Sequence, residues 1–199
     1  MSLHTDTGTA TPALGPYRLR DYDQLPDEPR CELVFGRLHL TASPFSRHQV
    51  ASFVLGQLLG QVAEASGGIV LQPPPDVVLA DHSVVQPDLV YVSAPRLAIV
   101  GKRVEGAPDF VVEILSPGTA SYDRSEKQDL YAFSGVKEYW LVDHERRQIE
   151  FLVNEAGRFV AAPLVTDRYR SPAIPELHLE VSDLWQLMDA WLRRVPRAR

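Results

Sequence analysis

The stretch that decides the fold is Phe110-Val-Val-Glu-Ile-Leu-Ser-Pro117, FVVEILSP. Two valines, an isoleucine and a leucine in close succession read as a strand buried on both faces. Glu113 stands at the centre of that run, where an unpaired carboxylate is very costly. A partner, a proton or a metal must compensate its charge.

The other acid flanked by strand is Asp88, in Val84-Val-Gln-Pro-Asp-Leu-Val-Tyr-Val92. Pro87 has no N–H to offer a ladder, so it ends pairing and leaves Asp88 where a strand emerges at the sheet edge. If the two strands are neighbours, about 4.8 Å apart, their carboxylates converge. Such a pair favours a hard divalent cation such as Mg²⁺, which takes oxygen ligands and keeps several waters. Asp109 is a rival to Asp88, but it lies four residues before Glu113 on the same strand, about 13 Å away when extended. It reads as a strand-entry residue.

Beyond Glu113 comes Ser116-Pro-Gly-Thr-Ala-Ser-Tyr-Asp-Arg-Ser-Glu-Lys127. Asp123 to Phe133 reads as a short helix with Asp-x-x-Glu at its start and Gly135 just past its end. Asp123, Lys127 and Tyr131 follow at intervals of four and share one helical face. A lysine beside two carboxylates suits a site that orients or deprotonates a water and stabilises charge on a phosphate. Taken singly, Asp123 reads as the helix N-cap and Lys127 as a surface lysine. Their combination is what points to chemistry.

The chain has 199 residues, 45% hydrophobic and 23% charged, which suits one globular domain. Residues 17–192 are expected to form it, between a flexible N-terminal tail at 1–16 and a basic C-terminal tail at 193–199. The opening MSLHTDTGTATPALGP does not read as a signal peptide. One cysteine, Cys31, leaves no intrachain disulfide or Cys-pair zinc site and fits a reducing cytoplasm. The apolar stretch 51–71 is broken by Gln57, Gln61 and Glu64, so no membrane span is expected. A net charge of −6 and a pI near 5.5 argue against non-specific binding to nucleic acid, although carboxylates gathered for metal ions add negative charge that the ions cancel.

Residues 31–42 read as a hairpin turning at Phe35-Gly36, and Ser43-Pro44 as the opening of a helix over 47–65, with Val50, Val54, Leu58 and Val62 as its apolar face. Strands are expected at 69–71, 77–79, 89–92, 110–115 and 139–142, a hairpin at 148–162 and an amphipathic helix at 181–192. Helices around one central mixed sheet make an α/β or α+β domain. The core should hold Leu89, Val112, Ile114, Leu141, Val54 and Leu58, with Glu113 as the only acid deep in the sheet.

Pro87-Asp88, Glu113-Ile-Leu-Ser-Pro, Asp123-x-x-x-Lys127-x-x-x-Tyr131 and Gly135-Val-Lys-Glu-Tyr-Trp-Leu-Val-Asp143 together resemble the Uma-type restriction endonuclease family. That family is a branch of the PD-(D/E)XK nuclease superfamily. Glu32-Leu-Val-Phe-Gly-Arg and the Ser-Arg-His48 helix start extend the resemblance to roughly residues 17–187. It implies a restriction-endonuclease-like core with Asp88, Glu113 and the carbonyl of Ile114 as ligands of Mg²⁺ or Mn²⁺. The superfamily lysine two positions after the acid is Leu115 here, and the resemblance implies that Lys127 replaces it from the following helix. Tyr131 would support that lysine. Glu32 would hold a second metal through water or orient His48, and His48 would act as ligand or proton carrier.

The expected activity is therefore Mg²⁺-dependent hydrolysis of DNA phosphodiester bonds, in the cytoplasm, with DNA as partner and no membrane. A homodimer is one expectation for its assembly. The alternative is an inactive nuclease-like scaffold that binds nucleic acid or a protein. There is no Gly-x-Ser-x-Gly elbow, Gly-rich phosphate loop or His-Glu-x-x-His, and His4, His39, His82, His144 and His178 show no mutual ligand spacing.

Overall fold

The computed structural model describes residues 13–41, 45–73 and 75–195. Its first half comprises α1 (Leu19–Tyr22), β1 (Cys31–Val34), β2 (Arg37–Leu40), α2 (Ser46–Ser66), β3 (Ile69–Leu71), β4 (Val77–Ala80), β5 (Ser83–Val85) and β6 (Leu89–Val92). After a 3₁₀ turn at Ala94–Ile99 come β7 (Val104–Glu105), β8 (Phe110–Ile114) and α3 (Ala120–Tyr122). A π-turn, Asp123–Lys127, leads directly into α4 (Gln128–Ser134). The chain closes with β9 (Glu138–Asp143), β10 (Gln148–Glu155), β11 (Arg158–Ala161), β12 (Arg168–Arg170), β13 (His178–Glu180) and α5 (Val181–Leu192).

The strands form two main sheets where the sequence suggests one. The six-stranded sheet runs β11-β10-β9-β8-β6-β3, the five-stranded sheet runs β2-β1-β5-β4-β7, and β12 and β13 pair separately. Val77–Ala80 joins the second sheet because β4 and β5 are a hairpin and β7 adds to β4 in parallel. The short strands β5, β7, β12 and β13 carry too few residues for a clear period-2 pattern.

FVVEI is the centre of the six-stranded sheet. It pairs antiparallel with β6 and parallel with β9, and the helical segment 120–134 makes the crossover that parallel strands require. Covered on both sides, every residue of β8 is buried. Phe110, Val112 and Ile114 pack with residues of α2 and α5, while Val111 packs with Leu130, Tyr131, Tyr139 and Leu141 and with Val34, Val77 and Val85 of the second sheet. Glu113 shares the parity of Val111, so it faces the crossover helix.

The expected core holds with two corrections. Leu89, Val112, Ile114, Leu141 and Val54 are buried, but Leu58 is only partly so. The packed face of α2 is Ala51, Val54, Leu55, Leu59 and Ala63, and Phe53 is 43% exposed. Small Ala51 and Ala63 let the helix sit close to the sheet, which a count of large apolar residues misses. Glu113 is not the sheet's only deep acid. Glu138 on β9 is 0% exposed and accepts hydrogen bonds from Trp140 Nε1, Tyr169 OH, Ser171 Oγ and the Ala173 N–H.

Two turns follow the sequence closely. Phe35 and Gly36 take φ of 48° and 76°, the double positive φ that a two-residue hairpin needs, and burial of the Phe35 ring offsets its strain. Gly135 ends α4 at φ 89°. Ser43-Pro44 lies outside the described residues, and α2 starts at Ser46 after Phe45. Asp123 is not an N-cap, because helix begins at Ala120 and the aspartate is drawn inward within the π-turn. Among the described residues, no helix is long and apolar enough to cross a membrane.

Candidate active site

The register Leu89↔Val112 between β6 and β8, continued by one step, sets Asp88 opposite Glu113. Asp88 sits just before β6, and its Oδ2 accepts the Ile114 N–H at 2.7 Å. The same oxygen lies 3.1 Å from His48 Nε2, in the first turn of α2. His48 therefore pairs with Asp88, and Glu32 does not orient it. Burial opposes charge on the His48 ring, but the hydrogen bond and charge of Asp88, aided by the Ile114 backbone, outweigh it and raise the pKa.

Glu113 is 5% exposed, and its compensation is a set of partners. Lys127 Nζ stands 2.5 Å from Glu113 Oε1, 3.0 Å from Glu32 Oε1 and 3.9 Å from Asp123 Oδ1. Tyr131 OH donates to the same Glu113 oxygen at 2.7 Å, so the tyrosine holds the carboxylate and makes no bond to the lysine. Glu32 is 1% exposed on β1 and also accepts the Gln86 N–H at 2.6 Å. Glu32, Asp88, Glu113, Asp123, Lys127 and Tyr131 thus come together at one sheet end, with His48 beside Asp88.

The π-turn explains how Lys127 arrives. A single wide turn leaves both Asp123 and Lys127 buried on the side facing β8, where an isolated surface helix would expose its lysine. Burial opposes the ammonium, but Glu113, Glu32 and Asp123 hold its pKa well above the ordinary lysine value. An ammonium held this way is suited to orient a water and to offset negative charge. It does not take a proton.

For Glu113 the balance goes to burial. Burial raises its pKa well above the usual carboxylate range; Lys127 counters this, while Asp123, Asp88 and Glu32 push it further up. Asp123 is raised as well, mainly by burial. Four carboxyl groups, Glu32, Asp88, Glu113 and Asp123, stand around a single lysine. Hard oxygen donors gathered in that way fit a divalent cation, whose charge would favour their ionised forms. The hydrogen bonds from Tyr131 and Ile114 fall on Glu113 Oε1 and Asp88 Oδ2, one oxygen of each carboxyl group. No three acidic or histidine groups among the described residues are gathered to hold an ion alone, but Mg²⁺ binds through one or two carboxylates and fills its shell with water.

A family model, Uma2, described as "Putative restriction endonuclease", matches residues 19–193. The chain belongs to the Uma2 family. No curated relative matches it. Among solved structures, it is similar to a crystal structure titled as a putative nuclease belonging to DUF820 from Anabaena variabilis ATCC 29413, with a TM-score of 0.74 and 19% identity over 87% of this chain and 99% of that one. At that identity the likeness is one of fold, and it gives this Uma2 chain a nuclease-like architecture.

Two features of the Uma2 site are not legible in the sequence. His39 lies opposite Glu32 in the β1–β2 register and stacks on Tyr122 at 4.5 Å, and the Tyr122 ring lies 5.9 Å from Lys127 Nζ. His144 is 9% exposed; burial lowers its pKa, Glu145 opposes that, and nearby His48 adds to the lowering. Each is a lone histidine in the chain, and only strand register or tertiary contact connects it to the site. Asp109 lies at the far end of β8, paired with Arg96 at 3.1 Å and Lys137 at 2.6 Å, as its reading as a strand-entry residue requires.

Proposed function

We propose that this chain is a metal-dependent endonuclease that hydrolyses phosphodiester bonds of DNA, with Mg²⁺ or Mn²⁺ as cofactor. The observation that carries the reading is Lys127, a buried ammonium suspended between Glu113 and Glu32 beside Asp88. A fold has little reason to assemble these groups at a strand end for stability, since well-packed apolar residues serve as well or better.

Asp88 and Glu113, with the Ile114 carbonyl, would hold the ion. A bound ion polarises the scissile phosphate and lowers the pKa of the attacking water. Lys127 would direct its N–H groups at that water and at a phosphate oxygen, opposing the charge that grows as the water oxygen adds to phosphorus, the bond to the departing sugar oxygen breaks and that oxygen takes up the proton the water releases. Tyr131 fixes the orientation of Glu113, and Glu32 anchors the lysine at a distance set by the Gln86 N–H. His48 fixes Asp88 from the opposite face of the sheet.

The alternative of a nuclease-like scaffold that binds without cutting draws on one observation, the full engagement of Lys127 in ion pairs. A nuclease assay on plasmid and single-stranded DNA, at low salt with and without Mg²⁺ or Mn²⁺, decides between them. Ion-dependent cleavage supports the enzyme. Ion binding without cleavage of any nucleic acid favours the scaffold.

A further inference from the structure

The entry to α2 links the proposed catalytic edge to two other parts of the surface. Phe45, three residues before His48, is 69% exposed. Between them, Arg47 donates through Nη1 to the carbonyls of Leu192 and Val195, both at 3.0 Å, and through Nε to Glu145 Oε1 at 2.6 Å. One side chain thereby fastens the end of α5 and the β9–β10 turn beside the helix that carries His48.

Both parts bring arginines. Arg146 and Arg147 lie in the turn, with side chains 73% and 54% exposed and with Asp143 and Asp189 as partners. Arg193 and Arg194 at the end of α5 are exposed and have no carboxylate partner among the described residues, and Arg194 lies 4.6 Å from the centre of the Trp191 ring. On a chain of net charge −6, this cationic rim departs from the overall sign. An exposed aromatic ring and unpaired guanidinium groups on one edge match what single-stranded nucleic acid requires, which is a stacking surface for a base and cations along its backbone. A duplex keeps its bases stacked inside and has no use for the ring.

We propose that this edge binds single-stranded nucleic acid, with an unpaired base on Phe45 and backbone phosphates on the arginines of α5 and the β9–β10 turn. The proposal rests on the nuclease reading for the identity of the adjacent site, and it names the strand state of the substrate. A fluorescein-labelled oligothymidylate and its duplex with oligodeoxyadenylate are titrated with full-length protein by fluorescence anisotropy, with Ca²⁺ in place of Mg²⁺. The single strand should bind about tenfold more tightly. Phe45→Ala should weaken single-strand binding about tenfold and duplex binding less than about twofold, and Phe45→Trp should retain it. The double variant Arg193→Ala/Arg194→Ala should lower the salt dependence of single-strand binding by about 1.4 in slope. Hydrolysis of bis(4-nitrophenyl) phosphate, too small to span the edge, should be equal in Phe45→Ala and wild type. Equal affinity for duplex, or unchanged single-strand binding in Phe45→Ala, would overturn this assignment even if plasmid is cleaved. Phe45-dependent binding without cleavage of any phosphodiester would leave the assignment standing and remove the nuclease reading.

Discussion

Lys127 Nζ and Glu113 Oε1 stand 2.5 Å apart, both side chains almost wholly buried, the one on the π-turn and the other on β8, with α3 in the connection between them. The pair places the one cation of the π-turn's inner face on the one acid of FVVEI, and the site is built around it.

Replacing Lys127 by Ala should reduce DNA cleavage at least about a hundredfold, the effect of losing a positioned electrostatic donor. It should also destabilise the fold, by about 3 kcal/mol at the low end for breaking a buried pair, because Glu113 and Glu32 lose their counter-charge. Cleavage rates and urea unfolding measure the two effects separately. Full activity would show the lysine to be misassigned, with Lys102 and Lys137 the chain's remaining lysines.

Tyr131→Phe removes the 2.7 Å hydrogen bond to Glu113 and leaves the ion pair. Loss of a donor to the carboxylate raises its pKa further, so the acid limb of the rate profile should move to higher pH. Metal affinity should fall about tenfold, as for other residues that orient a ligand. A profile superimposable on wild type would remove Tyr131 from the site.

The sequence discloses the strands that carry Asp88 and Glu113 because each is a continuous apolar run bounded by Pro, and it discloses the Asp123-Lys127-Tyr131 face because helical period is local. It does not disclose which oxygen each group takes. Tyr131 bonds Glu113 rather than Lys127, and His48 bonds Asp88 rather than Glu32, because those choices depend on how α2 and the crossover meet the sheet. The division into two sheets is hidden for a similar reason. Pairing of strands as short as β5 and β7 is set by tertiary contact and not by local pattern.

Asp109 provides a pH test away from the proposed metal. Burial opposes its charge, but Lys137, Ser93 and Arg96 outweigh it and push its pKa down to about 2 from 3.8. Since the folded value is the lower one, the stabilisation is present above pH 3.8 and is lost as pH falls through about 2. Asp109→Asn should cost on the order of 1 to 2 kcal/mol at pH 5, allowing for screening around the half-exposed Lys137, and the gap to wild type should close toward pH 2. A gap that is independent of pH would contradict this.

Glu138 accepts from four donors, Trp140 on β9 itself and Tyr169, Ser171 and Ala173, the last three joining β9 to the segment around Ser171. Glu138→Ala should lower unfolding free energy by about 3 to 5 kcal/mol, since it orphans buried donors and leaves a void. Ion affinity of the folded variant should be unchanged, because Glu138 faces away from Glu113. Calorimetry on folded protein that showed lost ion binding would place Glu138 in the site.

The most direct test of the central claim is titration of Mn²⁺ into wild type, Glu113→Gln and Lys127→Ala by isothermal calorimetry. A neutral amide is a poor ligand for a hard cation, so Glu113→Gln should lose ion binding. Lys127→Ala should bind at least as tightly as wild type, because it removes a competing cation from Glu113 and no ligand. Wild-type protein that binds no ion, or Glu113→Gln that binds as well as wild type, would contradict the account.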